Sequence, residues 1–233
     1  MNKQRILLWD LPTRVFHWSL VALVVASVIS GKIGGNAIVW HGRCGLAIVG
    51  LLAFRLVWGL IGSTYARFLS FIPTPASLIA YLRGQWHGVG HNPLGAFSVF
   101  GLLCLLALQA GTGLFGNDDI AFRGPLAGLV SGELSDWLTG VHKLSINLLI
   151  ALIVLHLAAI TFYARVKKDN LVQPMVTGWK EVEAGRAESA TGGGWRAFCV
   201  ALLIALAAVY GASGAWWRPT PVTPPASAPT PAW

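Results

Sequence analysis

The chain has 233 residues, 55% of them hydrophobic and only 11% charged, with a formal net charge of +8. Globular domains carry about a quarter charged residues, which excludes an ordinary water-soluble enzyme, and the basic residues are dispersed between apolar runs, which excludes nucleic acid as a partner. Five apolar segments, near 15–35, 38–62, 93–115, 141–166 and 195–217, predict an all-α transmembrane helical bundle, because a hydrocarbon core of about 30 Å needs roughly 20 helical residues and no barrel-like alternation is present.

Residues 1–14 form a short basic lead ending in WDLPTR, where Asp10 or Thr13 can cap the first span and Pro12 suits its first turn. The first span carries His17 about one turn below its starting surface, and GKIGGN, Gly31–Asn36, reads as a tight glycine-rich turn. The second span opens on WHGRCG, with His41 near the opposite face, Arg43 two residues on and Arg55 twelve residues later. Within 63–92, TPASLIAYLRGQW predicts a short helix lying in the interface. His87 and His91 follow in a Gly/Pro-rich stretch and read as solvated or supporting residues. After the third span, the polar and acidic segment 116–140 offers a landing surface for a soluble partner. The fourth span, 141–166, completes a four-helix core over 15–166 and contains His142 and His156. A charged, glycine-rich linker, 167–194, is expected to be mobile and leads to a fifth span, 195–217, without histidine. The tail 218–233 is rich in proline and predicts an extended arm.

Eleven Lys and Arg residues fall on the side of the N-terminus and five on the other, with Arg55 inside a span. The positive-inside rule then places the N-terminus in the cytoplasm and the C-terminus across the membrane.

An ionisable or ligating side chain in hydrocarbon is costly and marks a functional site by default. Fourteen residues separate His142 from His156, which puts them about 21 Å apart along one helix and within about 40° of the same face. His17 reaches the depth of His156, and His41 that of His142. Two imidazoles facing each other on neighbouring helices form a bis-histidine haem site, and the fourth span would contribute to both. Methionine is excluded as a ligand because Met1 and Met175 lie outside the spans. Cys44, Cys104 and Cys199 lack CxxCH spacing, so covalent haem attachment is excluded and they read as small buried hydrophobes. Arg43 beside the outer pair, and Arg14 or Arg55 at the inner depth, are candidates to neutralise haem propionates; snorkelling is an equal alternative for Arg55. Gly42 and Gly45 suit either the approach of a flat macrocycle or close helix packing. A zinc protease is disfavoured by the lack of HExxH and of acidic residues in the spans. A transporter is disfavoured by the lack of broken helices.

In WDLPTRVFHW (9–18), HGRCGLAIVGLLAFRLVWGLIGSTYARF (41–68), GHNPLG (90–95), QAGTGLF (109–115) and the pair His142 and His156, the chain resembles the bacterial di-haem cytochrome b-561 family over about residues 7–180. That family is related to the cytochrome b subunits of nickel–iron hydrogenases and formate dehydrogenases. The resemblance implies two non-covalent b-type haems, one ligated by His17 and His156 and the other by His41 and His142, with no catalytic side chain. It implies electron transfer across the bacterial inner membrane between the quinone pool and a periplasmic redox partner such as a c-type cytochrome. A haem-containing docking subunit of a larger redox complex, or a superoxide or quinone oxidoreductase, are the alternatives, and a homodimer is open. The fifth span and the tail depart from the four-helix pattern.

Overall fold

Helix α1, Leu11–Ile33, starts where local signals coincide: the Asp10 carboxylate accepts the Thr13 N–H at 2.7 Å and Pro12 occupies the first turn, where its missing N–H costs nothing. It runs through Gly31, so the glycine-rich turn expected at Gly31–Asn36 is shorter. Gly34 and Gly35 make the reversal with φ of 68° and 51°, a backbone region that favours glycine. The computed structural model describes residues 2–118 and 122–217; the proline-rich tail lies outside the described residues.

Helix α2, Ile38–Ile61, is the hub. Helices α1, α4 (Pro93–Leu114) and α7 (Gly194–Ala212) all pack on it, and α5 (Gly132–Phe162) packs on α4. All five are long and apolar enough to cross a membrane. The interfacial segment forms α3, Pro75–Leu82, closed by a capping box between Thr74 and Ser77. The outer faces stay apolar and exposed, as at Val21, Val25 and Ile29 of α1, the surface a bilayer would cover.

Two buried clusters stack along α2. Ile48, Leu52, Leu106 and Leu149 fill the middle of the bundle, while Phe16, Phe54, Trp58, Ala66, Ala201 and Ala205 fill the end where the chain begins. The fifth span approaches α2 closely because both surfaces are small: Ala201 and Ala205 are buried, and a Cβ on Gly50 would stand 2.7 Å from Val209 Cγ2.

Three expectations change. Helix α5 begins at Gly132, capped by Ser131, so Glu133 and Asp136 belong to its first turns and not to the 116–140 loop. The fifth helix ends at Ala212, short of Trp216 and Trp217. The linker 167–194 is structured. It contains α6, Val172–Thr177, and β2, Trp179–Glu183, which pairs antiparallel with β1, Lys3–Leu7, in the register Ile6↔Lys180. Ile6 and Val182 are buried on this ribbon, Arg5 stacks over Trp179, and Lys3 pairs with Glu181. Further hydrogen bonds, from Tyr65 Oη to the Glu188 carbonyl and from Gln4 Nε2 to the Ala187 carbonyl, bind the rest of the linker down. The basic lead and the linker thus form one strap across the near end of the bundle.

Candidate functional site

At the far end, the start of α2 and the first half of α5 bring His41 and His142 together, ring centroids 5.8 Å apart and planes at 85°. His41 Nδ1 donates to the Ser27 carbonyl of α1 at 2.8 Å, and His142 Nδ1 donates to the Gln109 carbonyl of α4 at 2.9 Å. A carbonyl only accepts, so both Nδ1 atoms carry the proton and both Nε2 atoms keep a lone pair, the tautomer a metal needs. Imidazole nitrogens bind metal at about 2 Å, which places the centroids of two rings sharing one ion about 6 Å apart. The observed spacing is of that size.

Both rings are seated in the same way. A Cβ on Gly31 would lie 2.9 Å from His41 Nδ1, and one on Gly113 3.0 Å from His142 Cε1. Each glycine stands four residues after the carbonyl that anchors the imidazole, Ser27 then Gly31 and Gln109 then Gly113. The absent side chain lets the imidazole reach a carbonyl on a neighbouring helix. Gln109 is itself held: its Oε1 accepts from Ser145 Oγ at 2.5 Å, and its Nε2 donates to the His142 carbonyl at 3.1 Å. The sequence reading missed Gly31 and Gly113 as seats for these rings. The Q-x-x-x-G spacing inside QAGTGLF was the available signal for one. Gly42, in contrast, accommodates Phe122, and Gly45 faces open space.

At the near end, His17 of α1 and His156 of α5 lie within electrostatic reach of each other, and no hydrogen bond joins either ring to another described residue. His17 instead meets Trp18 edge-on. His91, read from the sequence as solvated or supporting, stands beside this pair: Arg55, His156 and His17 all act on it. Its ring lies 4.7 Å from that of Trp9 and 4.5 Å from that of Phe71. Burial first, then those three charges, push its imidazole down to about 3, so it is neutral near pH 7. Its Nδ1 is enclosed and has no hydrogen-bond partner among the described residues.

The arginines diverge. Arg43 is exposed and stacks on Trp40 at 4.8 Å. Arg14 Nη1 donates to the Val176 carbonyl of α6, while its Nε is enclosed without a partner. Arg55 is 4% exposed, so it does not snorkel. Its guanidinium lies 4.5 Å over Phe68, whose ring rests on Gly59, and its Nη1 has no hydrogen-bond partner among the described residues.

Among the described residues no group of three or more His, Cys, Asp or Glu side chains is placed to hold one metal ion. A tetrahedral zinc site therefore has no donor set among them, whereas an iron already held by four porphyrin nitrogens needs only two imidazoles. Paired histidines with free Nε2 atoms, enclosed cationic groups lacking anions, and glycines cleared around the rings all fit haem.

The model of the prokaryotic cytochrome b561 family matches residues 8–178. A probable Ni/Fe-hydrogenase 1 B-type cytochrome subunit of Escherichia coli K12 is 20% identical over 221 residues, covering 76% of this chain and 92% of that one. Probable Ni/Fe-hydrogenase B-type cytochrome subunits of Azotobacter chroococcum and Azotobacter vinelandii are 24% and 25% identical, each over 77% of this chain and 90% of theirs. No solved structure gives a significant match. With its helical bundle of five candidate spans and its paired histidines, the chain belongs to the prokaryotic cytochrome b561 family of multi-pass membrane proteins that bind b-type haem and carry electrons.

Proposed function

We propose that the chain carries electrons across the membrane between two b-type haems, His41 and His142 ligating one and His17 and His156 the other. The observation that carries this reading is the perpendicular imidazole pair at the far end, with both Nδ1 protons committed to carbonyls. Bound haem supplies one-electron ferric–ferrous chemistry. The protein's part is to hold, orient and tune. Ser27 and Gln109 fix the tautomers, and Gly31 and Gly113 set the depth of the rings. Helix α5 joins the two sites through His142 and His156, and Arg43, Arg14 and Arg55 supply positive charge for propionates.

Charge asymmetry favours a cytoplasmic near end. The far end, with the loop between α4 and α5, then faces the periplasm of a bacterial inner membrane and meets a periplasmic redox partner such as a c-type cytochrome. Exchange with the quinone pool completes the path. The names of the relatives support a second reading, in which the chain is the haem-containing docking subunit of a larger, hydrogenase-type complex.

Haem content by pyridine haemochrome tests the ligand assignment. Wild type is expected to hold two haems per chain and His41→Ala one. A single haem in the wild type, or an unchanged count in His41→Ala, removes the assignment. Purified protein that keeps both haems but is not reduced by quinol removes the quinone step alone.

A further inference from the structure

Asp10 lies within electrostatic reach of Arg55, yet its carboxylate already accepts the Thr13 N–H at 2.7 Å and the Trp58 Nε1–H at 3.0 Å. No ion pair between Arg55 and any described acid is formed. A buried guanidinium with an idle N–H is costly, and so is an enclosed imidazole nitrogen with nothing to bond. Arg55 Nη1 and His91 Nδ1 are each enclosed without a partner among the described residues, and Arg55, His17 and His156 all act on His91.

The ring of His91 packs at a tilt against Trp9 and Phe71, while Phe71 meets Phe68, the ring beneath the Arg55 guanidinium. The imidazole is therefore packed against two tilted aromatic rings, and its Nδ1 is enclosed with no hydrogen-bond partner among the described residues, within electrostatic reach of His17 and His156. Such a group is positioned to donate a hydrogen bond to an anion that enters with a ligand. Part of the residue remains open and lines a cleft of about 420 Å³ together with Tyr65, Trp86, His87 and Arg186. The residue thus stands in the wall between that cleft and the histidine pair.

We propose that His91 and Arg55 together bind a propionate carboxylate of the near-end haem, with His91 acting as a positioning residue and not as an axial ligand. This rests on the proposed ligation by His17 and His156. Removing the His91 hydrogen bond leaves more negative charge on the propionate and favours ferric iron, so the potential of the near-end haem falls.

The test uses the full-length holoprotein in detergent: wild type, His91→Leu, His91→Gln and His156→Ala. Haem is counted by pyridine haemochrome, both potentials are read by redox-titrated absorption, and the propionate bending bands are followed by resonance Raman. The near-end haem is the one lost in His156→Ala. His91→Leu is expected to keep both haems and to shift the ferric–ferrous balance of that haem about tenfold toward ferric, about 59 mV for one electron. The other haem is unmoved, the propionate bands shift, and His91→Gln recovers most of the change because its amide can donate.

An unchanged near-end potential in His91→Leu overturns the proposal, as does an equal shift of both haems. Loss of one haem in both His91→Leu and His91→Gln overturns it by making His91 a ligand. Retention of both haems in His156→Ala overturns the ligand assignment itself, and the proposal with it.

Discussion

At the far end of the bundle, His41 and His142 each donate Nδ1–H to a carbonyl of a neighbouring helix and rest where a glycine has cleared the space. At the near end, His17 and His156 have no such anchor among the described residues, and enclosed nitrogens of Arg14, Arg55 and His91 have no hydrogen-bond partner among them either. The first arrangement is complete in the protein alone. Under the proposed ligation, the second would be completed by a ligand bringing both a metal and negative charge. On the proposed assignment, one kind of cofactor is held in two ways: by backbone preorganisation where helices meet side by side, and by cationic groups under a strap where the chain folds back over its own start.

This difference is open to attack on both sides. The largest effect is expected from Gly31→Leu or Gly113→Leu, which drives a side chain into an imidazole and breaks its carbonyl bond. Loss of such an orienting partner lowers metal affinity about 10- to 100-fold, so titration of apoprotein with haem should show one weakened and one unaltered site. Equal weakening of both sites would erase the distinction between the ends. A smaller effect is expected from Gly50→Leu, which overpacks the α2–α7 contact against Val209 and costs about 1–3 kcal/mol. Thermal unfolding should shift downward while both haems stay bound, showing α7 to be a buttress of α2. The smallest is Lys180→Ala in the strap, whose 2.9 Å pair with Asp169 is partly exposed. Less than about 1 kcal/mol is expected, with no change in either potential.

Much of this was legible in composition. Five spans follow from runs of apolar residues, and the histidines stand out because hydrocarbon makes polar residues rare. Their spacing on one helix gave the two depths, and the structure does bring His41 to His142. What escaped has a physical reason in each case. The carbonyls of Ser27 and Gln109 act through the backbone, which carries no residue signature. Gly31 lay in a run that resembles a turn, although α1 continues through it to Ile33. The β1–β2 ribbon joins segments nearly the whole chain apart, as in Gln4↔Val182, and no local periodicity reports such a pairing. His91 sits among glycines and a proline, a context typical of solvated loops, and only the packing of Trp9 and Phe71 against it reveals that it is enclosed.

The measurement that bears most directly on the account is the haem count of wild type, His142→Ala and His156→Ala, each shown by circular dichroism to be folded. Two, one and one are expected, with the two variants retaining haems of different potential, because a single helix supplies one ligand to each site. A folded variant that loses both haems or neither would contradict it.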